Sequence, residues 1–149
     1  MRDDVKNILK ELNHLYQDKI LLLDKILLSE TEKKYALKSQ NSEILIKNLE
    51  ANDEDIDEIN SIDYGITAIN EKVCSIVGVQ LSDLNEFMQN SEESLFIQII
   101  EVQNKVNIII KALIKEREEI IEAIEKESMS IKKDMDSLHR IHKLSAKKI

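Results

Sequence analysis

Two groups of side chains in this sequence have the spacing of metal ligands. Glu11 and His14 stand three residues apart, and so do Asp136, His139 and His142. Residues three apart on a helix share a face, and Glu-x-x-His pairs hold the metal ions of di-iron helical bundles. Such a centre needs two of these pairs and two further glutamates, whereas a zinc site needs a fourth ligand. We therefore expect no metal site. The first group is interpreted as a solvated helix flank, and the second as charge that complements a helix dipole.

Side chains for covalent or phosphate chemistry are equally sparse. Cys74 is the single cysteine, and the one basic residue close to it in sequence is Lys72, so nothing is expected to activate its thiol. No serine or cysteine stands in a recognisable arrangement with a histidine, and there is no glycine-rich phosphate loop. The sequence predicts that the protein is not an enzyme and binds no cofactor, with Cys74 as an inert, half-buried thiol.

The elements that carry these residues are predicted to be helices. The 149-residue chain has no proline, two glycines and 3% aromatic residues, but 42% hydrophobic residues. β domains need frequent turn residues and doubly wound α/β folds need glycine-rich turns, so both are excluded, and the apolar content is too high for a disordered chain. We predict an all-α fold, an elongated antiparallel helical bundle or coiled coil, with one domain over residues 1–149 and a long C-terminal helix.

The charge is unevenly distributed along the chain. The net charge is −8, to which residues 132–149 contribute +4 and residues 1–131 contribute −12. The acidic surface argues against nucleic acid as a partner. The first residues lack the apolar core of a signal peptide, no apolar run is long enough to span a membrane, and a single cysteine is typical of a reducing compartment. We expect a cytoplasmic protein without a membrane span.

Apolar residues at intervals of three and four predict four helices. A turn is expected at Ser39–Ser42, because serine and asparagine favour local backbone hydrogen bonds. Gly65 is predicted to allow the close approach of a neighbouring helix, and Gly78 to end the helix that contains both glycines. The predicted helices span residues 1–38, 41–78, 82–89 and 91–144.

The long C-terminal helix divides into two parts. Between Leu95 and Ile114 its apolar residues come in pairs and triplets, which can bury more than one face. Beyond Arg117 they form a single seam among glutamates and lysines, which can pack on only one neighbour. Part of this seam is therefore predicted to be free to bind a helix of a partner protein, or to form a homodimer.

A series of short motifs runs through the middle of the chain. An Ala-Leu pair is followed by an asparagine, by leucines at intervals of four and by an Ile-Asp segment. Further on come a Gly-Val-Gln-Leu-Ser segment and two asparagines close to an Ile/Leu run. These motifs are Ala36-Leu37, Asn41, Leu45, Leu49, Ile56–Asp63, Gly78–Ser82, Asn104, Asn107 and Ile108–Leu113. Over about residues 5–130 the pattern resembles the FlgN family of flagellar export chaperones.

The resemblance implies a function and a binding site. Chaperones of this family keep hook-associated proteins unaggregated in the cytosol and deliver them to the export apparatus. They bind the helical C-terminal segments of these cargoes through their own C-terminal amphipathic helix. Carried over to this chain, the cargo-binding stripe is Val106, Ile109, Leu113, Ile120, Ile124 and Ile131. The basic segment beyond Lys132 departs from the family pattern. From the residues alone, the alternative is a structural coiled-coil homodimer or scaffold with no flagellar role.

Overall fold

The computed structural model describes residues 2–40 and 42–147. Inside its helices, the side chains of residues 42, 44–46, 48–51, 127–128, 130–131 and 141–147 lie outside the description. The described chain is all-α, as predicted, and contains no strand. Its elements are α1 (Asp3–Ser39), α2 (Ser42–Val77), a short 3-10 turn (Leu81–Asp83), α3 (Leu84–Gln89) and α4 (Ser94–Lys147).

The chain reverses direction between α1 and α2. Gln40 adopts left-handed backbone angles, with φ of 57°, and its N–H donates a hydrogen bond to the carbonyl of Ala36. The Ser39 hydroxyl donates to the carbonyl of Tyr35 at 2.9 Å, so it satisfies one of the last carbonyls of α1. The structure thus separates the two helices within the predicted turn. The predicted start of the second helix, Asn41, lies outside the described residues.

A second reversal connects α2 to α4. Gly78 has φ of 77°, a conformation that favours glycine, and its N–H donates to the carbonyl of Cys74 at 2.9 Å. Further on, the Ser91 hydroxyl accepts a hydrogen bond from the backbone N–H of Glu93 at 3.2 Å. α4 begins at Ser94 and not at residue 91 as predicted, because the intervening residues form this connection. At its other end α4 reaches Lys147, three residues past the predicted end.

Side-chain pairs fix the register between α1 and α2. The ammonium of Lys19 lies 2.7 Å from Asp63, and that of Lys25 lies 3.2 Å from Asp55. Residue numbers thus rise along α1 as they fall along α2, so the two helices are antiparallel. Gly65 lies in this interface: a Cβ placed on it would be 3.2 Å from the Leu15 side chain. The close approach predicted at Gly65 is therefore confirmed.

The third long helix has the opposite relation to α1. Gln103 of α4 donates to the hydroxyl of Tyr16 at 3.0 Å, and Lys34 forms an ion pair with Glu119. Residue numbers rise together on the two helices, with an offset of about 86, so α4 runs parallel to α1. Successive long helices thus alternate in direction, and the predicted antiparallel bundle holds, with α1 and α4 parallel to each other. The reason is that α2 returns the chain to the end of the bundle at which α1 begins.

The core is almost entirely aliphatic. α1 packs along both α2 and α4, whereas in the described part of the chain the backbones of α2 and α4 approach each other at no more than isolated points. The side chains with essentially no exposure come from all of the α-helices: Leu9, Leu12, Val73, Met88 and Ile99. Phe87 and Phe96 meet edge to face, with their centroids 5.7 Å apart, near the end where α1 begins. No described helix combines the length and the apolar character that crossing a bilayer requires.

Candidate helix-binding surface

The side chains with metal-ligand spacing lie apart from one another. Glu11 and His14 are exposed on α1, and Asp136 and His139 are exposed on α4, whereas the side chain of His142 lies outside the description. Among the described residues, no three histidine, cysteine, aspartate or glutamate side chains come together as a metal ion would need. Cys74 is buried in the core and not half-buried as expected.

The predicted cargo-binding stripe does not form one open surface. Val106, Leu113 and Ile120 are buried, and the first two belong to the core cluster. The cause is α1, which covers this face of α4 as far as about residue 125. Ile109 is half-buried against the same core, and Ile124 is 49% exposed. The side chain of Ile131 lies outside the description. A partner could therefore reach only the far part of the stripe in this conformation.

Beyond the end of α1, helix α4 continues alone. The register between the two helices places Ser39, the last residue of α1, beside about residue 125 of α4. We call residues 126–147 of α4 the overhang. It is 22 residues long, or about 33 Å at 1.5 Å per residue. Every described side chain from residue 125 to residue 140 is exposed, so the overhang receives no cover from the rest of the chain there.

The overhang continues the apolar face that packs on α1. Met135 is 64% exposed and Leu138 is 66% exposed. Met135 follows Ile124 by eleven residues, and Leu138 follows Met135 by three. These intervals are close to whole numbers of helical turns, so the three side chains lie on one face of the helix. We call Ile124, Met135 and Leu138 the open seam. Its two outer members were absent from the predicted stripe, although the stride of three and four that extends to Leu138 could have indicated them.

An apolar groove lies where α1 ends on α4. Its volume is about 330 Å³, and Ile121 and Ile124 form its exposed rim. We call it the α1–α4 groove. Leu37 and Ile120 supply the rest of its apolar lining, and charged side chains close its inner side. The lining residues are Glu30, Lys33, Leu37, Arg117, Ile120, Ile121 and Ile124.

A buried polar cluster underlies this groove. Glu30 is 3% exposed, and its carboxylate lies 2.8 Å from the ammonium of Lys33. The same oxygen accepts a hydrogen bond from the Asn52 amide at 3.1 Å and faces the Arg117 guanidinium at 3.8 Å. Residues from α1, α2 and α4 thus converge on one carboxylate. Because a buried charge needs such partners, the cluster joins the three helices at this end of the bundle.

A second ionic contact ties α4 to α1 just before the overhang. Lys34 pairs with Glu119, and its ammonium lies 3.6 Å from Glu116. The hydrogen bond from Lys34 is the main cause that lowers the pKa of Glu119, and the charge of Lys34 adds to it. The same hydrogen bond raises the pKa of Lys34. The contact therefore holds both groups in their charged forms.

The charge of α4 changes sign along its length. Residues 116–127 contain six glutamates against one arginine and one lysine, which gives −4. From residue 132 to residue 147, where α4 ends, there are five lysines and arginines against two aspartates, which gives +3. The open seam thus runs from an acidic segment into a basic one.

No family model, no curated protein and no solved structure matches this chain. Its function is therefore argued from the surface described above.

Proposed function

We propose that this chain is a helix-binding chaperone of the flagellar export type. Its cargo is the helical C-terminal segment of a hook-associated protein, which it holds in the cytoplasm and passes to the export apparatus. The observation that carries the proposal is the α1–α4 groove. Its apolar rim is exposed at the place where α1 ends and α4 continues. The resemblance of residues 5–130 to the FlgN family supports the choice of cargo.

The shape and chemistry of the groove suit an amphipathic helix. Helix-in-groove recognition uses apolar anchors at intervals of three, four and seven, which insert between the side chains of the receiving surface. Leu37, Ile121 and Ile124 offer aliphatic walls for such anchors. Arg117, whose side chain is 55% exposed, borders the groove and can orient the acidic residues that flank a cargo stripe.

The aliphatic lining suits binding that must be reversible. Tight interfaces draw most of their energy from tryptophan, tyrosine and arginine, and the groove contains one arginine and no aromatic residue. A chaperone that covers an apolar cargo stripe lowers the free, aggregation-prone population by mass action. Moderate affinity is enough for this purpose and leaves the cargo able to depart at the export apparatus.

The structure changes which residues a test should alter. Ile120 is 8% exposed, so an aspartate there would disrupt the core and abolish binding for the wrong reason. Ile121 and Ile124 are suitable because they form the open rim. Ile108 is a matched control, since it is an isoleucine on the same helix, 67% exposed, and lies away from the face that meets α1.

The experiment is co-expression with a hook-associated protein, followed by size-exclusion chromatography. The wild-type chain is expected to co-elute with a cargo that retains its C-terminal helix and not with one that lacks it. Ile121→Asp together with Ile124→Asp is expected to abolish co-elution, whereas Ile108→Asp leaves it intact. Far-UV circular dichroism verifies that each variant is folded. Co-elution that survives the double substitution would rule out the groove, and wild-type protein that does not co-elute would rule out the cargo.

A further inference from the structure

The overhang is a long helix whose described side chains have no tertiary support from the rest of the chain. Most helical stability in proteins comes from packing of an apolar face against other elements and not from helix propensity alone. Yet residues 126–147 are helical, and the described side chains of the open seam past residue 125 are exposed. The open seam from Ile124 to Leu138 covers about 21 Å, and Met135 and Leu138 lie exposed beyond the last neighbour of α4, so we expect a partner to cover them.

The charge of α4 indicates what kind of partner fits. A covering helix must present an apolar seam, basic side chains beside the acidic segment 116–127 and acidic side chains beside the basic segment 132–147. The same stretch of a second copy meets all three requirements when it runs in the opposite direction. A parallel arrangement would instead place glutamates against glutamates and lysines against lysines.

We propose that the overhang is covered by α4 of a second copy of this chain, in an antiparallel pair with its two-fold axis near residue 131. Residues 126–136 of the two overhangs then face each other, and residues 137–140 lie beside residues 122–125 of the other copy. In this arrangement Ile124 of one copy lies beside Leu138 of the other, and Met135 lies close to the axis. The exposed Glu122 of each copy then lies opposite Arg140 of the other, and the exposed Lys126 lies opposite Asp136. The pairing is self-complementary, as a two-fold interface must be.

This inference does not rest on the proposed cargo. It concerns the overhang, whereas the cargo is proposed to bind in the α1–α4 groove. In the proposed register the second copy also passes the groove rim at Ile121 and Ile124, so a cargo helix and a second copy would compete there. A cargo helix or another acidic helix on the overhang is the competing outcome, and the experiments that follow use the purified chain alone.

Sedimentation of the full chain at micromolar concentration tests self-association. A dimer is expected, and Met135→Asp together with Leu138→Asp is expected to raise its dissociation constant by about 100-fold or more, because charges replace apolar side chains on both copies. Ile97→Asp together with Ile108→Asp, two exposed isoleucines elsewhere on α4, is the matched control and leaves the dimer intact. A monomeric wild type, or a dimer that survives Met135→Asp with Leu138→Asp, would overturn the proposal.

Disulfide trapping tests the direction of the pair in a Cys74→Ser background. A disulfide needs Cα atoms within about 7 Å of each other. In the antiparallel pair the two copies of residue 138 are about 20 Å apart along the axis, since they lie seven residues on either side of it. Leu138→Cys alone is therefore expected to give no covalent dimer, whereas an equal mixture with Ile124→Cys gives a covalent heterodimer. Self-linking of Leu138→Cys, or a mixture that does not link, would refute the antiparallel arrangement.

Discussion

Replacement of Glu30 by alanine is expected to destabilise the fold by about 3–5 kcal/mol, which is the usual effect of removing one partner of a buried ion pair. The Glu30 side chain is 4% exposed, and the Lys33 side chain that it contacts is 11% exposed. Without the carboxylate, the Lys33 ammonium stays buried beside apolar neighbours. The Asn52 amide, which donates to Glu30 at 3.1 Å, also loses its acceptor.

Two further variants separate the charge from the hydrogen bond. Glu30→Gln keeps an oxygen that can accept from Asn52 but removes the negative charge, so a loss of about 1.5–3 kcal/mol is expected. Glu30→Leu combined with Lys33→Leu removes both charges at once. Desolvation of the pair then no longer opposes folding, but the buried Asn52 amide still lacks its acceptor, so the double variant is expected to lose about 1–3 kcal/mol, less than Glu30→Ala.

Urea unfolding followed by circular dichroism measures these differences. Glu118→Ala, at an exposed glutamate on α4, is the control and is expected to change the free energy of unfolding by no more than about 0.5 kcal/mol. If Glu30→Ala behaves like this control, the carboxylate is not buried in a cluster. If the double leucine variant loses as much as the sum of its single substitutions, the two charges do not act as a pair.

Three other changes test the packing and the ionic contacts of the bundle. Gly65→Ala is expected to raise the free energy of unfolding by about 0.5 kcal/mol, because the helix-propensity gain of about 1 kcal/mol outweighs a small shift of the Leu15 side chain. A loss measured by urea unfolding would mean that Leu15 cannot move. Ile99→Ala is expected to lower the free energy of unfolding by about 2–5 kcal/mol, since Ile99 has no exposed surface, and a loss below about 1 kcal/mol would contradict the core position. Lys34→Met is expected to lower the urea midpoint at neutral pH. This difference should vanish as the pH falls through the lowered pKa of Glu119, because protonated Glu119 no longer pairs with Lys34. A difference that persists in acid would show that the lysine acts through packing.

Much of the local structure can be predicted from the sequence, but the register between the helices cannot. Residues near Ser39 and Gly78 mark helix ends because their side chains, or the lack of one, determine the local backbone. In contrast, Leu113 and Leu138 occupy the same kind of seam position in the sequence, yet the first is buried and the second is exposed. The difference depends on where α1 ends beside α4, and contacts such as Lys34 with Glu119 set that register across 85 positions of the chain.

The polar cluster could not be predicted for a related reason. Glutamate, lysine and asparagine are residue types that usually lie at the surface. In the sequence, Glu30 and Lys33 lie in a stretch with few apolar residues, and Asn52 lies next to a run of acidic residues. They are buried because three helices meet around them. A one-dimensional pattern shows which face of a helix is apolar, but a buried ion pair depends on partners supplied by other helices.

The central position of α1 sets the order in which the protein opens. α1 shares an interface with each of the other long helices, whereas α2 and α4 each depend mainly on α1. Either outer helix can separate while the remaining pair stays packed, but α1 cannot leave without ending both interfaces. Native-state hydrogen exchange is therefore expected to be slowest in the buried middle of α1 and fastest in the overhang, which exchanges without disturbing the bundle. Protection of the overhang that rises with protein concentration would report the second copy directly.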